Sequence, residues 1–241
     1  MKLQRMRDMK HNLSWLTLLV TAAFVVFPAL TSPFMGFTAD QLPVPQINPP
    51  IQPAGYAFSI WGLIYGWLLV SAIYGVAKRP DDAAWDAVRL PLIISLAVGT
   101  PWLWIANQSA IWATITIFIM AFAAIWALLR STSADRWWLQ SPVAIYAGWL
   151  TAASFVSLGS TAAGYGIMFT SLGWAFAGIT FALALALWVL SRKPVTGYGA
   201  TVIWALIGII AANGVNGVTA LAAIGIVVLA AATLFWRRPP A

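Results

Sequence analysis

The chain has 241 residues, of which 61% are hydrophobic and only 8% charged, and its formal net charge is +7. This composition excludes a water-soluble globular protein and indicates that lipid forms part of its surroundings. The basic residues stand in twos and threes between apolar segments rather than on one exposed face, which excludes nucleic acid as a partner.

Eight apolar segments predict an all-α fold, a polytopic transmembrane helical bundle, because about 20 apolar residues cross a bilayer. They cover approximately residues 13–30, 54–77, 90–106, 109–129, 139–158, 165–190, 198–212 and 218–236. We interpret the first as a retained helix, although a secretory signal begins in the same way. Predicted breaks at Gly159 to Gly164 and at Asn213 to Gly217 separate the fifth segment from the sixth and the seventh from the eighth. The seventh is short, so a re-entrant or tilted segment is its alternative.

The lysines and arginines predict the orientation of this bundle, because cytoplasmic loops retain basic residues. With eight spans, all of them fall on one side: in the N-terminal arm, the loops at 78–89, 130–136 and 192–193, and the pair Arg237-Arg238. The opposite loops carry only Asp40. Both termini are therefore predicted to be cytoplasmic, and the short loops favour a bacterial inner membrane.

Tryptophan is unusually abundant. Eight tryptophans sit near predicted span ends, where an amphipathic ring belongs at the headgroup level: Trp15, Trp85, Trp102, Trp104, Trp112, Trp137, Trp138 and Trp236. Trp61, Trp149, Trp174 and Trp204 lie deeper, where a buried indole N–H needs an acceptor. These four either pack between helices or line a pocket for a flat aromatic or isoprenoid-like ligand.

A proline-rich segment at residues 42–53 precedes the second span on the external side. Prolines at this density favour a stiff, extended backbone. The segment is either a linker or a lid over the outer mouth of the bundle. The lid interpretation rests on Pro45, Asn48, Pro49, Pro50 and Pro53.

The predicted spans contain no aspartate, glutamate, histidine or arginine, which argues against a proton-coupled carrier and against an enzyme. Without cysteine, and with His11 in the basic arm, no metal site is predicted. Gly55, Gly62 and Gly66 give the second span a small-residue face that packs within the bundle or forms a homodimer seam.

Three stretches resemble the TspO/translocator protein family, also called tryptophan-rich sensory proteins. The stretch from Pro53 to Tyr65, with its Ile-Trp-Gly-Leu-Ile-Tyr core, resembles the family's second-helix signature. Leu90-Pro91-Leu92 resembles the entry to its third helix, and the stretch from Pro142 to Ala153 resembles its fifth-helix segment from proline to tryptophan. Ser157 stands where the family usually has asparagine.

The resemblance covers about residues 13–160, and it implies a five-helix core at 1–160 with an additional three-helix membrane extension at 161–241. In this family the ligand lies between helices beneath the loop that joins helices one and two. Porphyrins and sterol-like lipids are its known ligand classes. By position, Trp61, Tyr65 and Trp149 would be pocket residues, with Tyr146 adjacent.

Three hypotheses follow from the sequence. The favoured one is a TspO-like binding or sensory protein that holds a flat apolar ligand such as a tetrapyrrole, a carotenoid or a sterol-like lipid. The second is an accessory or assembly subunit of a larger membrane protein complex, of which a pigment-containing complex is one example. The third is a facilitator for a neutral solute, which would require a continuous polar path.

Overall fold

The computed structural model describes residues 2–32, 34 and 36–236, with residues 2–11 and 39 described through their backbone alone. Within these ranges the chain forms nine α-helices and no strand. The helices are α1 (Lys2–Val26), α2 (Ile60–Lys78), α3 (Ala83–Gly99), α4 (Trp102–Gln108), α5 (Ala110–Arg130), α6 (Ser141–Gly164), α7 (Ser171–Arg192), α8 (Thr196–Asn213) and α9 (Gly217–Phe235). Eight helical segments of this described part are long and apolar enough to cross a membrane, which confirms the predicted class and count.

The third predicted span differs most from expectation. Helix α3 begins at Ala83, seven residues before the predicted start, because the Asp82 carboxylate accepts hydrogen bonds from the backbone N–H groups of Ala84 and Trp85 at 2.8 and 3.3 Å. The span then breaks at Pro101, and the separate short helix α4 completes it.

The early start of α3 places Arg89 inside the helix. This side chain is only 2% exposed. Its guanidinium pairs with Asp86 and donates to the backbone carbonyls of Gly75, Arg79 and Pro80, which compensates the burial of its charge. The prediction that the spans carry no ionised side chain is therefore wrong at the basic end of α3.

The predicted breaks differ in their outcome. The turn predicted at Gly159 to Gly164 is wrong, because α6 continues without interruption to Gly164. The break at Asn213 to Gly217 is confirmed: Gly214 adopts a positive φ of 65°, and the Asn216 side chain caps α9. Helix α8 has 18 residues, about 27 Å of continuous helix, so it can cross nearly the whole hydrocarbon layer.

Helix α6 is the central element and has the largest buried share of the eight spans. Its many alanines, glycines, serines and threonines let α5, α7 and α8 approach closely. At Gly148, an added Cβ would lie 2.6 Å from the carbonyl oxygen of Tyr198 on α8. Thr151 and Tyr198 also share a buried hydrogen bond of 2.9 Å between their hydroxyls. Helices α7 and α8 therefore pack on the same helix as α2 and α5, and α9 packs on α7 and α8.

The loops that carry the described basic residues meet at one end of the bundle. The Asp135 carboxylate accepts hydrogen bonds from Arg79 Nε at 2.8 Å and from the indole N–H of Trp85 at 2.8 Å. Lys193, between α7 and α8, donates to the carbonyl of Ser131. Trp85 is thus buried against a carboxylate at this end of the bundle and faces its interior, and the expectation that its ring lies at headgroup level stays a prediction. The N-terminal basic side chains and Arg237-Arg238 lie outside the described residues.

The Asp135 contacts make stability depend on pH. The hydrogen bond from Arg79 lowers the pKa of Asp135, with further lowering by Trp85, against the opposing effect of burial. A lowered folded-state pKa contributes stability above the ordinary carboxyl pKa of about 4, and this contribution disappears as the pH falls through the folded value.

We expect Asp135→Asn to lower the melting temperature in detergent by about 2–6 °C at pH 7, because the amide accepts hydrogen bonds without the charge. The difference from the wild type should shrink as the pH falls toward 3. Melting curves of the two proteins at several pH values test this. A difference that stays constant over that range would contradict an ionised Asp135 as the source.

Candidate ligand-binding cavity

A cavity of about 300 Å³ lies within the bundle near its outer end, where the proline-rich loop forms part of the wall. This volume falls at the lower end of the range typical of small-molecule sites, about 300–1,000 Å³. Helices α1 to α6 and one residue of α8, Ala205, contribute to the lining. The aromatic lining residues are Phe24, Phe34, Phe37, Phe58, Trp61, Tyr65, Trp102 and Trp149.

Helix α2 supplies a stacked aromatic pair. Trp61 and Tyr65 are four residues apart and therefore share one helix face. Their rings stack with centroids 5.2 Å apart. Phe24 of α1 meets the Tyr65 ring edge to face at 5.3 Å, and Trp149 of α6 meets the Trp61 ring at 6.3 Å and 82°. Such edge-to-face contacts hold the rings in fixed orientations.

Helix α6 supplies the opposite wall. Its lining residues follow a helical repeat that places them on one face: Trp149, Ala152, Ala153, Val156, Ser157 and Ser160. The alanines leave the space that the cavity occupies. At the outer part of this face, the Ser157 hydroxyl lies 2.7 Å from that of Thr114, which also lies 2.9 Å from Thr161.

Of the residues singled out from the sequence, Trp61, Tyr65 and Trp149 line the cavity together. Tyr146 lies directly behind the lining, fully buried, with its ring against Phe24 at 5.7 Å. Its hydroxyl lies 2.9 Å from Ser95 Oγ.

Trp174 and Trp204 lie outside the cavity, and each has its own acceptor. The Trp174 indole donates to the carbonyl of Ile167 at 2.6 Å, and the Trp204 indole donates to that of Ala57 at 2.9 Å. Among the described residues, in contrast, no acceptor meets the indole N–H of Trp61 or Trp149. Of the four deep tryptophans, Trp174 and Trp204 thus pack between helices, whereas Trp61 and Trp149 face the cavity.

Sequence reasoning missed most of the phenylalanine lining and also Trp102. Trp102 was expected at headgroup level, but it is buried, and its indole donates to the carbonyl of Ala113 at 3.0 Å. Phe34 meets its ring edge to face at 5.3 Å. The one sequence signal for this position is Pro101, since a helix interrupted there can turn the next side chain inward.

None of the cavity's lining side chains in the described part of the chain is ionised, and none forms an acid–base pair. The same part of the chain holds no cluster of histidine and carboxylate side chains suited to a metal ion. The lining is therefore mainly aromatic and aliphatic, with a few hydrogen-bonding side chains among the described residues.

A family model described as TSPO-like protein matches residues 12–235. The chain belongs to the TSPO-like family. No curated protein and no solved structure matches it. The family match confirms the resemblance found in three sequence stretches and identifies a TSPO-like integral membrane protein. It extends over both 1–160 and 161–241, and the division of the chain at that point stays a prediction.

In this TSPO-like protein, two apolar side chains anchor the proline-rich loop. Ile51 is 1% exposed, and its side chain lies against Gly159 of α6 and Gly178 of α7. Leu42 lies against Gly164, where an added Cβ would approach its Cδ1 to 2.7 Å. These contacts explain why the glycines predicted to form a turn lie inside α6: the loop needs positions without side chains there.

Backbone and side-chain hydrogen bonds hold the same loop to α6 and α8. Among them, Val44 N–H donates to Gly164 of α6 at 2.8 Å, and Ala54 N–H donates to Gly208 of α8 at 2.9 Å. The Asn213 side chain donates to the carbonyl of Pro50 at 2.8 Å. Just before the loop, the Gln41 side chain donates to the carbonyl of Ala106 on α4 at 2.8 Å.

The loop residues named from the sequence contribute unequally to the cavity. Pro53 lines it, as does Gln52, which the sequence did not single out. Pro45, Asn48, Pro49 and Pro50 lie in the part of the loop that does not line it. Their role as a lid over a ligand stays a prediction.

We expect Gly178→Ala to loosen the loop, because the new methyl group would overlap Ile51 Cδ1. Hydrogen exchange of residues 42–54 should rise by about fivefold or more, since about 1 kcal/mol of local stability changes an opening equilibrium by this factor. The matched control is Gly62→Ala, whose Cβ would meet no atom within 4 Å. Equal exchange in the two variants would contradict the anchoring role of Ile51.

Proposed function

We propose that this TSPO-like membrane protein is a binding or sensory protein that holds a flat, largely apolar ligand in the cavity between α2 and α6. The observation that carries the proposal is the cavity itself, walled by Trp61, Tyr65 and Trp149. Aromatic faces give a flat apolar molecule large contact area. The ligand classes to test are tetrapyrroles, carotenoids and sterol-like lipids.

The lining favours ligand binding over the other two hypotheses. A facilitator for neutral solutes needs a polar path through the membrane, whereas this wall is mainly aromatic and aliphatic. The accessory-subunit hypothesis has no comparable supporting observation in the described part of the chain. Catalysis has no support in the lining either, because no acid–base pair lies there.

We expect Trp149→Phe to weaken ligand binding by about 3–10-fold, because the substitution removes aromatic contact area and an unpaired indole N–H from the wall. The test is a titration of the detergent-purified protein with protoporphyrin, haem, a carotenoid and a sterol, followed by tryptophan fluorescence. Trp126→Phe is the control, since Trp126 lies 41% exposed on α5 outside the cavity. Absence of saturable quenching by every compound would refute the proposed function.

We further propose that the protein lies in a bacterial inner membrane with both termini in the cytoplasm. Support comes from the described basic loops, which meet at one end of the bundle through the contacts of Asp135 and Ser131. The proline-rich loop lies at the opposite end.

Because the chain has no cysteine, single cysteines can report this orientation. In intact bacterial cells, an impermeant maleimide should label Asp40→Cys, whereas Ser133→Cys should react only after permeabilisation. Both positions are exposed, so accessibility differs only by the side of the membrane. The reverse labelling pattern would overturn the orientation.

A further inference from the structure

Two buried residues of the cavity wall carry hydrogen-bond donors that no described residue satisfies. Trp149 is 2% exposed and Ser160 is 5% exposed, and both line the cavity. Burying an N–H or hydroxyl group without a partner is unfavourable. The partner of each group is therefore supplied by water or by a ligand in the cavity.

Ser160 differs from Thr151 and Ser154 of the same helix. Thr151 donates to the carbonyl of Ala147 at 2.9 Å, and Ser154 donates to that of Leu150 at 2.7 Å. Such bonds to the preceding turn are the common way to satisfy a hydroxyl within a helix. The Ser160 hydroxyl forms no such bond and has no partner elsewhere in the described chain. It is therefore available to form a hydrogen bond with a ligand.

The two donors fit an elongated guest. Trp149 and Ser160 are eleven residues apart, which places them on the same face of α6 at about 16 Å along its axis. Between them, the face presents Ala152, Ala153 and Val156 to the cavity. A molecule lying along this face would meet apolar surface over most of its length and a donor near each end.

The electrostatics of the wall select against a charged guest. No lysine, arginine or histidine lines the cavity in the described part of the chain. A carboxylate or sulfate placed there would lose its hydration without gaining a counter-ion, which is strongly unfavourable. A hydroxyl or carbonyl oxygen needs only the hydrogen bond that Ser160 or Trp149 offers.

Building on the proposed function, we infer that the cavity takes an elongated, uncharged, largely apolar molecule whose terminal hydroxyl or carbonyl oxygen accepts a hydrogen bond from Ser160. Trp149 offers a second donor near the other end of the same helix face. Ser160 thereby determines which terminal group is accepted, and the aromatic wall accepts the body of the molecule.

The experiment compares matched compounds that differ only in their terminal group. One set is retinol, its hydrocarbon analogue axerophthene and retinoic acid. The other is cholestanol, cholestane and cholestanol sulfate. Affinities are measured for the full-length wild type, Ser160→Ala and Ser154→Ala, the last being a buried serine of α6 that does not line the cavity.

We expect the wild type to bind the alcohol of at least one set about 5–10-fold more tightly than the hydrocarbon, and more tightly than the anion. Ser160→Ala should abolish the preference for the alcohol while leaving hydrocarbon affinity unchanged, which also shows that the variant is folded. Ser154→Ala should keep the preference.

The inference is overturned if alcohol and hydrocarbon bind the wild type equally in both sets. It is also overturned if, in the set that shows a preference, the anion binds as well as the alcohol or the preference survives in Ser160→Ala. Each of these results leaves the proposed function intact, because a ligand is bound. Binding of a pigment but of none of the six compounds also overturns only the inference. If no compound in either titration binds, the proposed function itself fails.

Discussion

The close packing of neighbours around α6 is the constraint on which the rest of the structure depends. Helices in lipid gain little from hydrophobic burial against one another, so association relies on surfaces that fit closely. Alanine, glycine, serine and threonine supply that fit along α6, and the close approach of Tyr198 to Gly148 shows how near the backbones come. Where small residues face α2 instead, the large rings of Trp61 and Tyr65 stand opposite and the cavity remains between them.

The same small residues serve the loop at the outer end. Gly159 and Gly164 leave room for Ile51 and Leu42, so α6 provides both one wall of the cavity and the contact positions that anchor the proline-rich loop. Polar groups at this end are satisfied mostly within the bundle, as Asn213 shows by its bond to Pro50. At the other end, buried Arg89 pairs with the Asp86 carboxylate and donates to backbone carbonyls, and partly buried Asp135 accepts from Arg79 and from the indole of Trp85.

Much of the fold could be predicted from the sequence, since hydrocarbon imposes a length and a composition on every span. The break at Asn213 to Gly217 was visible because amide and glycine residues coincide there. The turn predicted from Gly159 and Gly164 was wrong, because a glycine that leaves room for a neighbour's side chain looks the same in sequence as one that ends a helix. The early start of α3 was not predicted, because residues 83–89 include charged side chains that suggested a loop. The partners that allow such a charge inside the helix, such as the Gly75 carbonyl for Arg89, come from another helix.

The site was predictable only in part. The motif around Trp61 and Tyr65 and the position of Trp149 pointed to residues that the structure brings together. Local sequence could not separate these from Trp174 and Trp204, because the distinction lies in whether a carbonyl from a distant turn reaches the indole. The bonds from α8 to the proline-rich loop carry a consequence for biosynthesis. During translation, residues 42–54 emerge long before Gly208 and Asn213, so the outer wall of the cavity reaches its final arrangement only after α8 has left the ribosome.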